Sequence, residues 1–240
     1  MSIHACSESP SFLSKAAAIL TLAAFVQPTI SQNPEMQQRV QEIKQSQAAN
    51  KQQLARYTWQ ETQTISIKGE VKKTSMYLVR IGPDGQQQKQ EIDAQPAAAP
   101  SGGRLKQHVI AKKKEEFEDY AQQIAALAKQ YTQLDPDMLQ QAVQKGNVSI
   151  QPAGGGVVSL VITSLLKPND SVTLTFNRQE KAVQSLQIAS YLNDPNDAVK
   201  INVQFAKIPN GPNHASNILV NGVSKQLTVN IANSNYQPVS

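Results

Sequence analysis

The stretch from residue 147 to residue 233 constrains the fold most, because it reads as a series of short strands, each closed by residues typical of turns. The clearest two-residue period is carried by Val199, Ile201, Val203 and Phe205. The pair Asn221-Gly222, which is typical of a tight hairpin turn with positive φ, precedes the last predicted strand. Since side chains alternate between the two faces of a strand, the pattern predicts an antiparallel meander with one apolar face.

A helix and three further strands are predicted before this meander. Asn33-Pro34-Glu35 is typical of a helix start, because Asn can cap, Pro fits the first turn and Glu complements the helix dipole. The helix is expected to end near Ala55. The predicted strands then run from Tyr57 to Lys68, Val71 to Ile81 and Gln86 to Asp93, and a Pro- and Gly-containing loop covers 94–103.

Two more helices are predicted between the two groups of strands. The longer one spans Leu105 to Tyr131, with apolar residues three and four positions apart, and a short one begins at Asp135-Pro136 and ends at Gly146. The predicted fold class is therefore α+β: a curved antiparallel sheet or incomplete β-barrel, covered by the N-terminal helix and a helical lid. One domain over residues 32–240 is expected.

Residues 1–31 are interpreted as a signal peptide. Lys15 precedes an apolar run from Ala16 to Val26, and small residues follow near the expected cleavage before Gln32. This run is too short to span a bilayer, which needs about 20 residues. The single cysteine, Cys6, lies before the apolar run, so the mature chain would have no thiol, disulfide or acyl anchor. A periplasmic location is expected.

The sequence offers no catalytic or metal-binding motif, so we expect no enzyme activity, no cofactor and no metal site. The formal net charge is +5, and the basic residues are scattered among acidic ones, which does not favour a nucleic-acid partner. His108 and His214 are expected to face solvent. Gly154-Gly155-Gly156 and the segment 194–197 are interpreted as turns.

Five residues are candidates for contact with a ligand. Trp59 and Glu61 lie on the inner side of the first predicted strand, where Trp59 is either a core residue or part of a cavity wall. Glu61 is expected at a barrel mouth that water reaches, with ligand contact or pairing with a base as alternatives. Arg80, in an otherwise apolar strand, is its candidate partner. Phe117 and Tyr120 lie on the apolar side of the long helix.

The order of elements resembles a known family. An exported chain whose first helix leads into the strand Tyr57-Thr58-Trp59-Gln60-Glu61, followed by a glycine turn, a second strand, lid helices and a meander, is similar to the LolA-like periplasmic lipoprotein carriers and to the sigma-factor regulator RseB. The resemblance implies an incomplete barrel, closed by helices, around a hydrophobic cavity for acyl chains. It also implies that Arg80 matches the ligand-gating arginine of the carriers.

Two functions follow as expectations. The first is a non-catalytic periplasmic binding protein that holds a lipid-like or other hydrophobic ligand, such as a lipoprotein acyl chain, between sheet and helices. The second is an interaction or sensor module whose core is filled by its own side chains and whose surface recognises an envelope protein. Fold alone does not decide between them.

Overall fold

The computed structural model describes residues 34–95, 104–132 and 136–239. The predicted signal peptide and most of the predicted loop 94–103 lie outside these residues. The described residues form three helices and ten strands: α1 (Pro34–Leu54), β1 (Tyr57–Ile67), β2 (Glu70–Ile81), β3 (Gln87–Gln95), α2 (Arg104–Thr132), α3 (Pro136–Gln144), β4 (Val148–Gly154), β5 (Val157–Thr163), β6 (Ser171–Asn177), β7 (Ala182–Tyr191), β8 (Ala198–Lys207), β9 (Asn213–Gly222) and β10 (Leu227–Pro238).

All ten strands form one antiparallel sheet in the order β3-β2-β1-β10-β9-β8-β7-β6-β5-β4. Every neighbour is also a neighbour along the chain except the pair β1 and β10, which joins the first hairpin to the last strand. The sheet is open, with β3 and β4 as its edges. The predicted class, a curved antiparallel sheet that does not close into a barrel, is confirmed.

The inner face of the sheet is built from residues that lie directly opposite one another across the strands. One apolar row crosses the sheet from β4 to β1 through Val148, Ile162, Val172, Ile188, Ile201, Val220, Val229 and Ile65. From β4 to β9 each residue of this row is buried. The apolar residues that recur every second position in the sequence thus lie opposite one another and form a single layer of the core.

Helix α2 covers this buried row. Tyr120, Ile124, Leu127 and Tyr131, spaced three and four residues apart, are all buried against it. The Tyr120 hydroxyl donates to Asp197 Oδ1 at 2.7 Å, and burial followed by this hydrogen bond raises the pKa of Tyr120 to about 12. The helix is therefore held by polar anchors as well as by apolar contact.

A second anchor lies about three helical turns further along α2, at the same end of the sheet. The Tyr131 hydroxyl donates to Asp170 Oδ2 at 2.5 Å. Asp170 is 1% exposed and also accepts hydrogen bonds from the backbone N–H groups of residues 165–167. Its carboxylate therefore has several donors, which is what an ionised group needs when it is removed from water.

Helix α1 contacts the opposite end of the strands. The Asn50 amide exchanges two hydrogen bonds of 2.6 Å with the backbone of Asn213, where β9 begins. The Ser46 hydroxyl donates to the carbonyl of Lys181, in the turn between β6 and β7. Because α2 is anchored at the β5–β6 and β7–β8 turns, the two helices lie at opposite ends of the sheet.

The predicted turn at Asn221-Gly222 is wrong in its position. Both residues belong to β9, and the turn follows at residues 223–226, where Gln226 has a φ of 50°. Gly222 is buried, and a Cβ atom there would lie 2.6 Å from Ile124 Cδ1 and 2.6 Å from Tyr120 Cε1. Glycine is therefore needed so that α2 can approach the strand, which is a packing requirement and not a turn requirement.

We expect Gly222→Ala to lower the free energy of unfolding by about 1–3 kcal/mol, because the new methyl group overlaps α2. Urea denaturation of the two proteins measures the loss. The same substitution in an Ile124→Ala background should cost less, since part of the overlap is then relieved. An unchanged cost in that background would instead indicate backbone strain at position 222.

Candidate ligand site on the inner face

The next inner row, one step towards α1, is apolar but only partly covered. It crosses the sheet from β4 to β10 as Ile150, Leu160, Leu174, Leu186, Val203, Ile218 and Ile231. Leu160 and Val203 are buried, while the other five are half-buried. We call these five, Ile150, Leu174, Leu186, Ile218 and Ile231, the apolar strip. The row under α2 is buried and the strip is not, so the strip is apolar surface that water still reaches.

The strip ends at β1, where the inner face becomes polar. Ile231 lies opposite Gln63, and the next inner pair is Glu61 opposite Asn233. We call Trp59, Glu61, Ser75 and Asn233 the inner polar cluster. One sequence signal marks the Asn233 part of this cluster. Leu227, Val229 and Ile231 share the inner face of β10, and Asn233 interrupts that apolar series.

The partner of Glu61 is Lys89 and not Arg80. Lys89 Nζ lies 2.5 Å from Glu61 Oε1, and the Glu61 residue is 3% exposed. The expectation that Glu61 sits at a mouth that water reaches is therefore wrong, whereas the alternative of pairing with a base is confirmed. Arg80 lies opposite Thr58, on the outer face, is exposed, and donates from Nε to Gln88 Oε1 at 2.9 Å. Strand position decides which base meets Glu61, because consecutive side chains of a strand point to opposite faces of the sheet.

Aromatic rings pack beside the cluster. Trp59 is 2% exposed and stacks on Tyr236, with ring centres 5.5 Å apart and planes 17° apart. The His214 ring lies 4.0 Å from that of Tyr236. His214 is buried, so its expected solvent position is wrong. Burial lowers the pKa of His214, whereas burial and the nearby Glu61 carboxylate raise the pKa of the Tyr236 hydroxyl.

Four buried polar atoms in this region have no hydrogen-bond partner among the described residues. They are Trp59 Nε1, Ser75 Oγ, His214 Nδ1 and Asn233 Oδ1. An unsatisfied buried donor or acceptor costs about 1–3 kcal/mol, so four of them in one region are unusual for a core. Sequence reasoning missed Ser75 and Asn233, because nothing in the two-residue period tells which polar residue is buried.

The five predicted ligand residues do not form one site. Trp59 and Glu61 lie together on the inner face of β1. Phe117 and Tyr120 lie on α2, at the other end of the sheet. Phe117 is half-buried, and Lys225 Nζ lies 5.9 Å from its ring centre. Arg80 is on the outer face. Only Trp59 and Glu61 are therefore placed beside the apolar strip.

A groove of about 850 Å³ separates α1 from the turns at its end of the sheet. Its walls include polar side chains of α1 and the cationic residues Arg178, Lys181 and Lys207. Phe176, which is part of the apolar core, also lines it. The groove therefore reaches the apolar core at Phe176, which is itself buried.

Within 34–95, 104–132 and 136–239, no three His, Cys, Asp or Glu side chains come together in a way that could hold a metal ion. In the same ranges, no helix has the length and apolar character needed to cross a membrane.

Comparisons with known proteins place the chain among similar architectures. No protein-family model matches it, and no curated protein matches it. Among solved structures it is similar to a DUF1329 family protein from Desulfovibrio piger (9% identity, 83% of this chain and 92% of the other, TM-score 0.37). It is also similar to a LolA superfamily protein from Nitrosomonas europaea (7% identity, 83% and 93%, TM-score 0.33). A third is MucB in complex with MucA(peri) (10% identity, 84% and 99%, TM-score 0.23).

Two of these structures, the LolA superfamily protein and MucB, are of the LolA-like and RseB-like kinds to which the sequence shows a resemblance. All three TM-scores are below 0.5, so the likeness does not by itself establish a shared fold. The fold described above rests on the strands, their register and the helices themselves.

We expect Lys89→Met to lower the free energy of unfolding by about 1–3 kcal/mol at pH 7, because it leaves the buried Glu61 carboxylate without its partner. Chemical denaturation measures the loss. Lys72→Met is the matched control: the Lys72–Glu70 pair is exposed, and its removal should leave the free energy of unfolding nearly unchanged. Equal effects of the two substitutions would contradict the buried pairing.

Because His214 is buried, we expect the free energy of unfolding to decrease at mildly acidic pH. Its pKa is lowered in the folded chain, so below the ordinary value of 6.5 the unfolded chain binds more protons than the folded one. Stability should therefore fall as the pH decreases from 6.5 towards the folded pKa. We expect the Tm difference between pH 7.5 and pH 5.5, measured by circular dichroism, to be smaller in His214→Gln than in the unmodified chain. His108→Gln is the control, and an unchanged difference in His214→Gln would contradict this assignment.

Proposed function

We propose that this protein is an exported, non-catalytic binding protein that holds an aliphatic chain of a lipid-like ligand, such as a lipoprotein acyl chain, on the apolar strip. The observation that carries this proposal is the contrast between two neighbouring rows of one sheet face. From β4 to β9 the row under α2 is buried, whereas five of the seven apolar residues in the row beside it, those of the strip, are half-buried. A flexible hydrocarbon chain matches such a surface, because burial of apolar area drives binding and needs no directional partner.

The geometry of the strip supports a linear ligand. Its five residues come from β4, β6, β7, β9 and β10, and neighbouring strands are about 4.8 Å apart. A guest lying across them spans roughly 25–30 Å, which is longer than an extended acyl chain of common length. The groove beside α1 reaches Phe176, which lies two positions from Leu174 of the strip on β6.

The periplasmic location belongs to the same proposal. It rests on the interpretation of residues 1–31 as a signal peptide. A carrier that crosses an aqueous compartment must shield the chain of its ligand from water.

The alternative is an interaction module with a filled core that recognises an envelope protein through a surface or an edge strand, and its edge-strand form is less well supported. The edge strand β3 carries the charged residues Lys89, Glu91 and Asp93, and β4 contains Pro152. Charges and proline on edge strands disfavour pairing with another chain.

We expect Leu186→Gln to weaken binding of the apolar dye N-phenyl-1-naphthylamine about tenfold, because a polar amide replaces one of the strip's central side chains. Fluorescence titration measures the affinity, and displacement by decanoate tests whether a simple chain competes. Leu78→Gln is the matched control: Leu78 lies on the outer face, is 40% exposed, and its substitution should leave dye binding unchanged. No dye binding, or equal loss in both variants, would contradict a chain-binding site on the strip.

A further inference from the structure

The inner polar cluster gathers unsatisfied hydrogen-bonding atoms at the end of the apolar strip. Asn233 lies directly opposite Glu61, which places their Cβ atoms about 5 Å apart. Trp59 is two positions from Glu61 on the same face of β1. Ser75, on the neighbouring strand β2, is the diagonal neighbour of Glu61. Trp59 and Ser75 are each 2% exposed. Trp59 Nε1, Ser75 Oγ and Asn233 Oδ1 lack partners among the described residues, so the hydrogen-bonding capacity of all three is unused.

The chemistry of these atoms is mixed. The indole N–H of Trp59 only donates, and the amide oxygen of Asn233 only accepts. The orientation of that amide is set by its Nδ2, which donates to the carbonyl of Ala215 at 2.8 Å. The Ser75 hydroxyl can do both. A guest that satisfies all three must therefore both accept and donate hydrogen bonds.

The charge within the cluster itself is already balanced. Lys89 neutralises Glu61, His214 is kept neutral by burial, and the Tyr236 hydroxyl keeps its proton. An anionic or cationic guest would bring an unpaired charge into a site shielded from water, which is costly. The surroundings favour a neutral group.

We propose that the inner polar cluster is the site for the head of the ligand, and that this head is a neutral hydroxyl- or amide-bearing group joined to the aliphatic chain. This inference rests on the proposed function, because the chain of the same ligand lies along the apolar strip. Gln63 lies between the two regions, opposite Ile231. A hydroxyl group accepts from Trp59 Nε1 and donates to Asn233 Oδ1, whereas a carboxylate or phosphate group that is ionised only accepts.

Two ligands with the same ten-carbon chain test the assignment: monodecanoylglycerol, with a neutral dihydroxyl head, and decanoate, with an anionic one. Trp59 is the chain's single tryptophan, so its fluorescence reports directly on the cluster, and isothermal titration calorimetry gives the affinity. We expect monodecanoylglycerol to bind at least tenfold more tightly than decanoate to the full chain at pH 7.5.

Substitutions that remove one unsatisfied atom without removing a described hydrogen bond should reduce this preference. Ser75→Ala is expected to weaken monodecanoylglycerol binding about fivefold and to leave decanoate binding unchanged. Trp59→Phe, followed by calorimetry, should have a similar effect. Ser66→Ala is the matched control, since Ser66 lies on the outer face of β1, and it should change neither affinity.

The outcomes separate this inference from the proposed function. Equal affinities for the two ligands, tighter binding of decanoate, or a preference that survives both Ser75→Ala and Trp59→Phe would overturn the head-group site while chain binding stands. Binding of neither ligand would overturn the proposed function, and the head-group site with it.

Discussion

The sheet of this protein presents more apolar inner surface than one helix can cover, and the rest of the structure depends on that mismatch. Strands such as β7 and β8, each with 10 residues, extend about 33 Å, whereas a helix with its side chains is about 10–12 Å wide. Inner rows are about 7 Å apart, so α2 covers little more than one of them. The buried row from Val148 to Val220 is the covered one, and the row beside it, which contains the apolar strip, is only partly buried.

Polar anchors decide which row is covered. Tyr120 and Tyr131 tie α2 to Asp197 and Asp170, which lie in turns at one end of the sheet. Gly222 allows the helix to approach β9 closely at that same end. Apolar contact alone is not directional and would tolerate other helix positions. The hydroxyl–carboxylate bonds and the small residue at position 222 fix one position and so leave the strip uncovered.

The β1 end of the inner face differs from the rest because its side chains are polar and buried at once. The Glu61–Lys89 pair lies there, beside three aromatic rings and several atoms that lack hydrogen-bond partners within the described part of the chain. Such a group does not stabilise a core, because each unsatisfied atom costs free energy. Its position at the end of an apolar strip gives the inner face an amphipathic character: hydrocarbon along most of its width and hydrogen-bonding groups at one side.

The sequence by itself determined the class of the fold and the extent of most elements. Alternating apolar residues predicted the strands, and the spacing of Phe117, Tyr120, Ile124 and Leu127 predicted the long helix, because both patterns are local consequences of backbone geometry. Of the candidate site residues, it identified Trp59 and Glu61 correctly as lying on the inner side of β1. Tertiary structure alone decided that Lys89 and not Arg80 meets Glu61, that His214 is buried, and that Gly222 serves a helix contact. These are contacts between residues far apart in the chain or on different strands, and they depend on register and helix position, which no local pattern records.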